Sequence, residues 1–338
     1  MKILIAGLGG IGQRHARNLR TILGDDLELI AWRVRRLSRV ITPTLQADET
    51  RDVEAEYKIK TFDRLPDALA EKPGAAFICN PTSLHVETAK ACADAGCHLF
   101  LEKPVSNNLD GVRELLDVVK ARKLVALVGY QLRFHPCLRA LQELLTAKAV
   151  GRILAVRAVI GEYLPGWHGY EDYRQMYASS AALGGGVILS QIHEFDYLYS
   201  LFGMPHSVYS LGGHWSSLDI DVEDTASTLM NFSVDGKPVA VHLHQDYLQR
   251  PPSRQCEIIG EQGKILADFA ALRVTSPQGT QDFAGFERNQ LFLDQSKHFL
   301  ASMKGQETPV VDLSAGMQSL RMALAAKESI ATGKPVFL

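Results

Sequence analysis

The most constraining stretch of this chain is its beginning, MKILIAGLGGIGQRH over Met1–His15. Ile3, Leu4 and Ile5 form an apolar run long enough for a buried strand and too short for a buried helix. The run enters Gly7-Leu8-Gly9-Gly10-Ile11-Gly12, which fits G-x-G-x-x-G. Ala16, Leu19, Ile22 and Leu23 then recur at helical spacing, so Gln13–Leu23 reads as a helix. In such a strand–turn–helix, Gly7 permits the tight turn and Gly9 lets a pyrophosphate approach the backbone. Gly12 allows the helix to pack closely on the strand. Unpaired N–H groups at the helix N-terminus then face the phosphates. The opening therefore predicts a dinucleotide site and a parallel sheet built around it.

The following hundred or so residues keep that alternation. Leu27–Trp32 is a second apolar run, and Pro66–Ala70 reads as a short helix. Ala75–Cys79 is a strand ending in Asn80-Pro81-Thr82, and His85–Ala95 a helix closed by Gly96. His98–Leu101 is a strand ending in Glu102-Lys103-Pro104, Leu109–Ala121 a helix, and Val125–Val128 a strand ending in Gly129-Tyr130. Strands alternating with helices predict a doubly wound parallel sheet, whose ligands sit at the carboxyl ends of the strands. Asn80, Glu102, Lys103 and Tyr130 fall at those ends. Lys103 is either an ordinary surface lysine or a partly desolvated cation fit for proton transfer beside a cofactor.

An acidic residue about twenty positions past the glycines normally binds the ribose 2′-hydroxyl of NAD. At that place the chain has Trp32-Arg33, followed by Arg35, Arg36 and Arg39. Arginine there accommodates a 2′-phosphate, so NADP is expected in preference to NAD. The alternative is a solvated basic loop.

The second half begins with a helix over Pro136–Ala147, after Gln131-Leu132-Arg133-Phe134-His135, and a β-branched strand over Ile153–Ile160. Gly161–Tyr177 carries Trp167, His168, Tyr170, Tyr173, Arg174 and Tyr177. Such a loop suits a polyhydroxylated ligand, with rings against the apolar sugar face and polar tips on hydroxyls, or is a packed surface loop. Gly184–Gly186 lead into a helix over Val187–Phe202, on which His193, Asp196 and Tyr197 share a face. No second histidine at helical spacing accompanies His193, so no metal is expected. From Val208 to Ser276, six apolar runs separated by turn signals such as Asp235-Gly236 predict an open antiparallel sheet of about six strands. His242, His244 and Asp246 alternate on one strand face, which reads as a solvated or interface face in preference to a set of ligands, and two helices near Asn289–Met303 and Ser314–Thr332 close the chain.

Composition removes several function classes. At 338 residues the chain is expected to form two domains. The formal net charge of −2 gives no support for a nucleic-acid or membrane surface, and no apolar run approaches membrane-spanning length. Five cysteines without C-x-x-C or Cys/His ligand spacing fit reduced thiols in a cytoplasmic protein, and no signal peptide is expected.

Taken together, Gly7–Gly12, Cys79-Asn80-Pro81, Glu102-Lys103-Pro104 and Gly184-Gly185-Gly186 followed by His193 resemble the Gfo/Idh/MocA oxidoreductases, over essentially the whole chain. The resemblance implies an α/β N-terminal Rossmann domain with a doubly wound parallel sheet, drawn at 1–129. It implies an α+β C-terminal domain, 130–338, with a large, mostly antiparallel open sheet for substrate binding and oligomerisation. The implied assembly is a homodimer or homotetramer through that sheet. By the same analogy Lys103 is the catalytic lysine, His193 faces the substrate, and Asn80 and Glu102 lie near the nicotinamide. The cofactor set is then Gly7, Gly9, Gly10, Ile11, Gly12, Arg33, Arg36, Asn80, Pro81, His85, Glu102 and Lys103. The substrate set is Tyr130, Arg133, Trp167, Tyr173, Arg174, Ser190 and His193. Tyr163–Tyr177 with Asp246–Pro252 looks like a branch near bacterial surface-sugar pathways. The activity implied is hydride transfer between NAD(P) and a secondary alcohol or ketone of a sugar, cyclitol or sugar nucleotide. A silent cofactor-binding sensor and a reductase of an imine or enone are the alternatives on the same fold. One departure stands out: many relatives carry an Asp three or four residues before the histidine, where this chain has Leu189 and Ser190.

Overall fold

A computed structural model describes residues 1–33 and 39–338. Its first part runs β1 (Lys2–Ala6), α1 (Gly10–Leu23), β2 (Glu28–Trp32), β3 (Arg39–Ile41), β4 (Ala47–Asp52), α2 (Val53–Tyr57), β5 (Ile59–Phe62), α3 (Leu65–Ala70) and β6 (Ala75–Ile78). It continues through α4 (His85–Asp94), β7 (His98–Leu101), α5 (Val112–Ala121) and β8 (Ala126–Val128). Six of these strands form one parallel sheet in the order β5-β2-β1-β6-β7-β8. The strand order reverses between β1 and β6, and that reversal opens the crevice in which such sheets hold ligands. The short β3–β4 hairpin stands apart as a two-stranded sheet. Sequence periodicity does not reveal that hairpin, because β4, ADETRD, has no apolar alternation.

The second part contains α6 (Pro136–Thr146), β9 (Ile153–Gly161), α7 (Val187–Ser190), α8 (His193–Phe202), β10 (Ser207–Gly213), β11 (Thr225–Val234), β12 (Lys237–Asp246) and β13 (Ser253–Gly260). β14 (Gly263–Asp268), β15 (Arg273–Ser276), β16 (Gly279–Asp282), α9 (Arg288–Met303), α10 (Leu313–Thr332) and β17 (Val336–Phe337) complete it. The sheet has nine strands rather than about six, in the order β16-β15-β14-β13-β9-β12-β11-β10-β17. It is mixed at one place only: β9 inserts between β12, with which it is parallel, and β13, with which it is antiparallel. The expected strands are all present; β9 joins them at the centre, and β16 and β17 add the two edges.

Helices cover both faces of the first sheet and one face of the second. On the first sheet α1 covers one side, and Ile3, Ile5, Phe77 and Phe100 pack there with Phe299 and Leu300 of α9. Phe77 and Phe100 stack at 4.5 Å, and Phe299 meets both edge-on. On the other side α4, α5 and α10 join a second apolar cluster that runs on into α8 and the inner face of the nine-stranded sheet. No helix among the described residues is long and apolar enough to cross a membrane.

The helix expected over Val187–Phe202 is two helices. α7 ends at Ser190 and α8 starts at His193, with Gln191 at φ −101°, ψ 35°. Neither glycine nor proline marks the break. Side chains from elsewhere hold it open: Lys103 donates to the Ser190 carbonyl (2.6 Å) and Gln245 of β12 to the Gln191 carbonyl (2.9 Å). Gln191 in turn donates to the Asp246 carbonyl (3.0 Å).

Candidate active site

The glycine turn follows β1 directly. A Cβ on Gly12 would lie 2.0 Å from the Gly7 carbonyl oxygen, so only glycine lets α1 pack this closely on the strand end. A Cβ on Gly9 would meet nothing within 4 Å, which leaves the backbone there open to approach. α1 has no side-chain N-cap and no acidic residue in its first turn. Its N-terminal N–H groups therefore remain available for an anion. Beside the turn, Asn80 donates to Thr88 Oγ1 (2.8 Å), while its Oδ1 is buried without a partner. An open backbone cradle, uncapped donors and an orphaned acceptor fit a dinucleotide.

His85 ties together the loops that follow β6 and β7. Its Nδ1 lies 2.8 Å from the Pro104 carbonyl oxygen and its Nε2 2.9 Å from that of Asn80. Burial lowers its pKa, against the pull of those carbonyls. Glu102 accepts from His15 Nε2 at 2.7 Å. The His15 ring is fully buried against the stacked pair Phe77 and Phe100, at centroid distances of 5.1 and 4.8 Å. That partnership was not read from the sequence, although His15 stands one helical turn beyond Gly12 and so shares its face toward the sheet.

Lys103 leaves the end of β7 and reaches the second part of the chain at the Ser190 carbonyl, so Lys103 and Ser190 are neighbours. Ser190 Oγ is buried and makes no hydrogen bond. His193, the first residue of α8, is 4% exposed, and its Nδ1 has no partner. Burial, joined by the charges of Lys103, Arg254 and Arg288, pushes the His193 pKa well below its usual value. The imidazole is therefore neutral at neutral pH and can accept a proton. Tyr130, from the end of β8, stands edge-on to it at 5.7 Å.

Two buried ion pairs hold α8 in place. Arg133 forks onto Asp196, with Nε to Oδ2 at 2.6 Å and Nη2 to Oδ1 at 3.0 Å, and Ser319 Oγ donates to Oδ1 at 3.2 Å. Arg254 of β13 forks onto Glu194 at 2.9 and 3.2 Å. Burial raises the pKa of both carboxyls, and the guanidinium groups oppose it. Arg133 is thus engaged by Asp196, one turn after His193 on α8, where the sequence suggests a substrate contact.

The other expected residues are more scattered. Trp167 stands edge-on to Tyr247 at 5.3 Å, and its buried Nε1 has no partner. The Tyr173 hydroxyl accepts from the Asp219 N–H at 3.2 Å, and Arg174 pairs with Asp172 at the exposed surface. Arg33 follows β2 as expected and forms an ion pair with Glu54, whose carboxylate also accepts from Thr61 at 2.8 Å. Arg36 lies outside the described residues. Among the described residues no group of three His, Cys, Asp or Glu side chains could hold a metal.

Two cations escaped the sequence reading. The Arg14 guanidinium lies 4.4 Å from the centroid of the Phe292 ring, and burial with nearby Arg288 and Arg17 lowers its pKa to about 10. Arg288 opens α9, one turn before Phe292 on the same face. No local pattern marks either, because the packing of α9 on α1 brings them to the site.

Residues 1–130 match the Gfo/Idh/MocA oxidoreductase family with its NAD-binding Rossmann fold, and residues 138–266 match a C-terminal domain of the same family. The chain belongs to the Gfo/Idh/MocA oxidoreductases. The myo-inositol 2-dehydrogenase of Thermotoga maritima is 27% identical over all of this chain and 98% of its own. Solved structures share the fold. The WlbA dehydrogenase of Bordetella pertussis, in complex with NADH and UDP-GlcNAcA, superposes with a TM-score of 0.81 at 21% identity, covering 100% of this chain and 98% of that one. The scyllo-inositol dehydrogenase of Lactobacillus casei, with NAD(H) and scyllo-inositol bound, gives 0.76 at 21% identity and the same coverage.

Proposed function

We propose that the chain is an NAD(P)-dependent dehydrogenase of a secondary alcohol, or reductase of the matching ketone, on a sugar, cyclitol or sugar nucleotide. The observation that carries this reading is that Lys103 Nζ, at the ligand edge of the parallel sheet, reaches the Ser190 carbonyl three residues before a buried neutral His193 whose Nδ1 is free and whose pKa its charge lowers. A bound nicotinamide supplies the hydride acceptor or donor. Lys103 holds the reacting oxygen by a charge-assisted hydrogen bond, and His193 accepts the hydroxyl proton in oxidation and returns it in reduction. Burial around His193 keeps water from competing for that proton. Trp167, with its unpartnered Nε1, offers a ring and a donor to a polyhydroxylated ligand.

At the adenosine end, the arginine run after β2 favours a 2′-phosphate, as expected of Arg33 and Arg36. Glu54 already engages Arg33, so a 2′-phosphate gains that contact only in competition with the carboxylate. The outer face of the nine-stranded sheet presents Leu211 and Leu229, each 55% exposed, on neighbouring strands. A second copy covering that face gives the expected homodimer or homotetramer.

The test is a panel of polyols, cyclitols, sugars and sugar nucleotides, each with NAD⁺ or NADP⁺, read by the absorbance of reduced cofactor. Turnover on a secondary alcohol is the expected result. Tight cofactor binding without turnover on any alcohol or ketone would mark a sensor, and turnover confined to imines or enones would mark a different reductase.

A further inference from the structure

The glycine motif asks for glycine at positions 7, 9 and 12, and this chain carries a fourth at Gly10. Gly10 is the first residue of α1, so backbone strain does not call for it. The space above it is taken instead. A Cβ on Gly10 would lie 2.4 Å from the hydroxyl oxygen of Tyr170 and 3.3 Å from its Cζ. Tyr170 comes from the loop between β9 and α7, in the other part of the chain. Its ring stacks on His168 at 4.9 Å and 14°, and the His168 Nδ1 meets Glu171 Oε1 at 2.8 Å. The Arg39 guanidinium lies 5.7 Å from the Tyr170 centroid.

The Tyr170 hydroxyl makes no hydrogen bond to the described residues, though it is pressed against the N-terminus of α1. Burial holds its phenol above the ordinary pKa, so at neutral pH it is a donor. Arg14 stands close by, and its contact is the Phe292 ring rather than a carboxylate. A phenol donor and two guanidinium groups thus surround a turn whose own N–H groups are uncapped. Donors and cations outnumber the carboxylates there, Glu171 being held by His168 and Glu49 by Arg39, which suits a diphosphate.

We propose that Tyr170 reaches across from the substrate part of the chain to donate a hydrogen bond to the diphosphate of the bound dinucleotide, and that Gly10 is glycine because Tyr170 occupies the space of its side chain. This rests on the glycine turn being the dinucleotide site. It makes the β9–α7 loop a strap over the cofactor, anchored by the His168 stack. Dissociation of the cofactor then requires the strap to lift, so substrate-side contacts of the same loop, Trp167 among them, are coupled to cofactor residence.

The experiment is equilibrium binding of NADH, NADPH and ADP-ribose to the unmodified chain and to Tyr170→Phe, which keeps the stacking ring. Loss of a hydrogen bond to a charged group should weaken binding of all three roughly tenfold or more, because all three carry the diphosphate. Unchanged or tighter binding in Tyr170→Phe would overturn the proposal. So would a loss confined to the two nicotinamide ligands. Failure of the unmodified chain to bind any of them would instead overturn the dinucleotide reading itself. Gly10→Ala supplies an independent arm. It should weaken ADP-ribose binding more in the unmodified background than in Tyr170→Ala, where the space is clear. Equal losses in both backgrounds would show that Tyr170 does not fill that space.

Discussion

Lys103 lies near enough to His193 for its charge to act on the imidazole, but the chain delivers the two in opposite ways. Lys103 arrives by topology. It follows a strand of a parallel sheet, and such a sheet brings the residues after its strands to one edge whatever they are. Asn80, Glu102 and Tyr130 arrive by the same rule. His193 arrives through a break in a helix that its local sequence does not call for. Lys103 and Gln245 draw the Ser190 and Gln191 carbonyls out of the helical ladder, and the new helix starts at His193. One side of the site is thus set by order along the chain, and the other by contacts that exist only once both parts are folded. Loss of Lys103 should therefore act mainly on chemistry, at the cost of one hydrogen bond to the Ser190 carbonyl, while loss of the buried ion pairs around His193 should loosen the fold.

The largest expected effect is chemical. Lys103→Ala should lower kcat by about 10²–10³-fold, the range for removing a donor that holds the reacting oxygen as charge develops on it, with NADH affinity nearly intact. Steady-state kinetics beside a binding titration check this. A variant with most of its kcat would move the catalytic role away from the sheet edge.

On the other side the expected loss is structural. Arg133→Ala strands a fully buried Asp196, and removing one partner of a buried pair costs about 3–5 kcal/mol. With the guanidinium gone, native Asp196 holds its proton further above its unfolded pKa. The native state then binds more protons than the unfolded one, so stability falls as pH rises. That fall spans the window from the ordinary carboxylate pKa up to the raised native one. Urea melts of both proteins at several pH values read this directly. A loss that does not grow with pH would mean Asp196 is not the group left stranded.

Arg33→Ala probes the least secure part of the locally coded side. It should narrow the proposed preference for NADPH over NADH by about tenfold, less than a full charge-assisted pair because Glu54 competes. Dissociation constants for both cofactors check it. Equal values in the unmodified chain would remove the preference.

The smallest effect lies at the junction. Ser190→Asp restores a carboxylate beside Lys103, which favours the protonated lysine. The basic limb of the pH–rate profile for alcohol oxidation should move to higher pH. An unmoved limb in an active, folded variant would break the coupling between the two sides.

What the sequence made legible follows the same division. Alternating strands and helices, the glycine turn and the strand-end residues could be read because each is a local pattern with a topological consequence. The division into α7 and α8 could not, since Gln191-Ile192 is unremarkable as helix sequence and the diverting donors lie far away in the chain. Arg133 was placed on the substrate because position puts it near the site, and only the fold reveals Asp196 behind it. Arg14 and Arg288 needed the packing of α9 on α1. Tyr170 was visible as one aromatic among several, but not its seat on Gly10.

The seat of Phe299 and Leu300 among the side chains of β1, β6 and β7 bears on how the molecule is made. A ribosome releases the six parallel strands long before it reaches position 299. Until then Phe77 and Phe100 lack the ring that closes over them, and the nascent sheet leaves an apolar bed bare to solvent and chaperones. The cofactor half, first to be synthesised, is among the last to be finished. A fragment ended after β8 should therefore be sticky rather than a miniature of the whole.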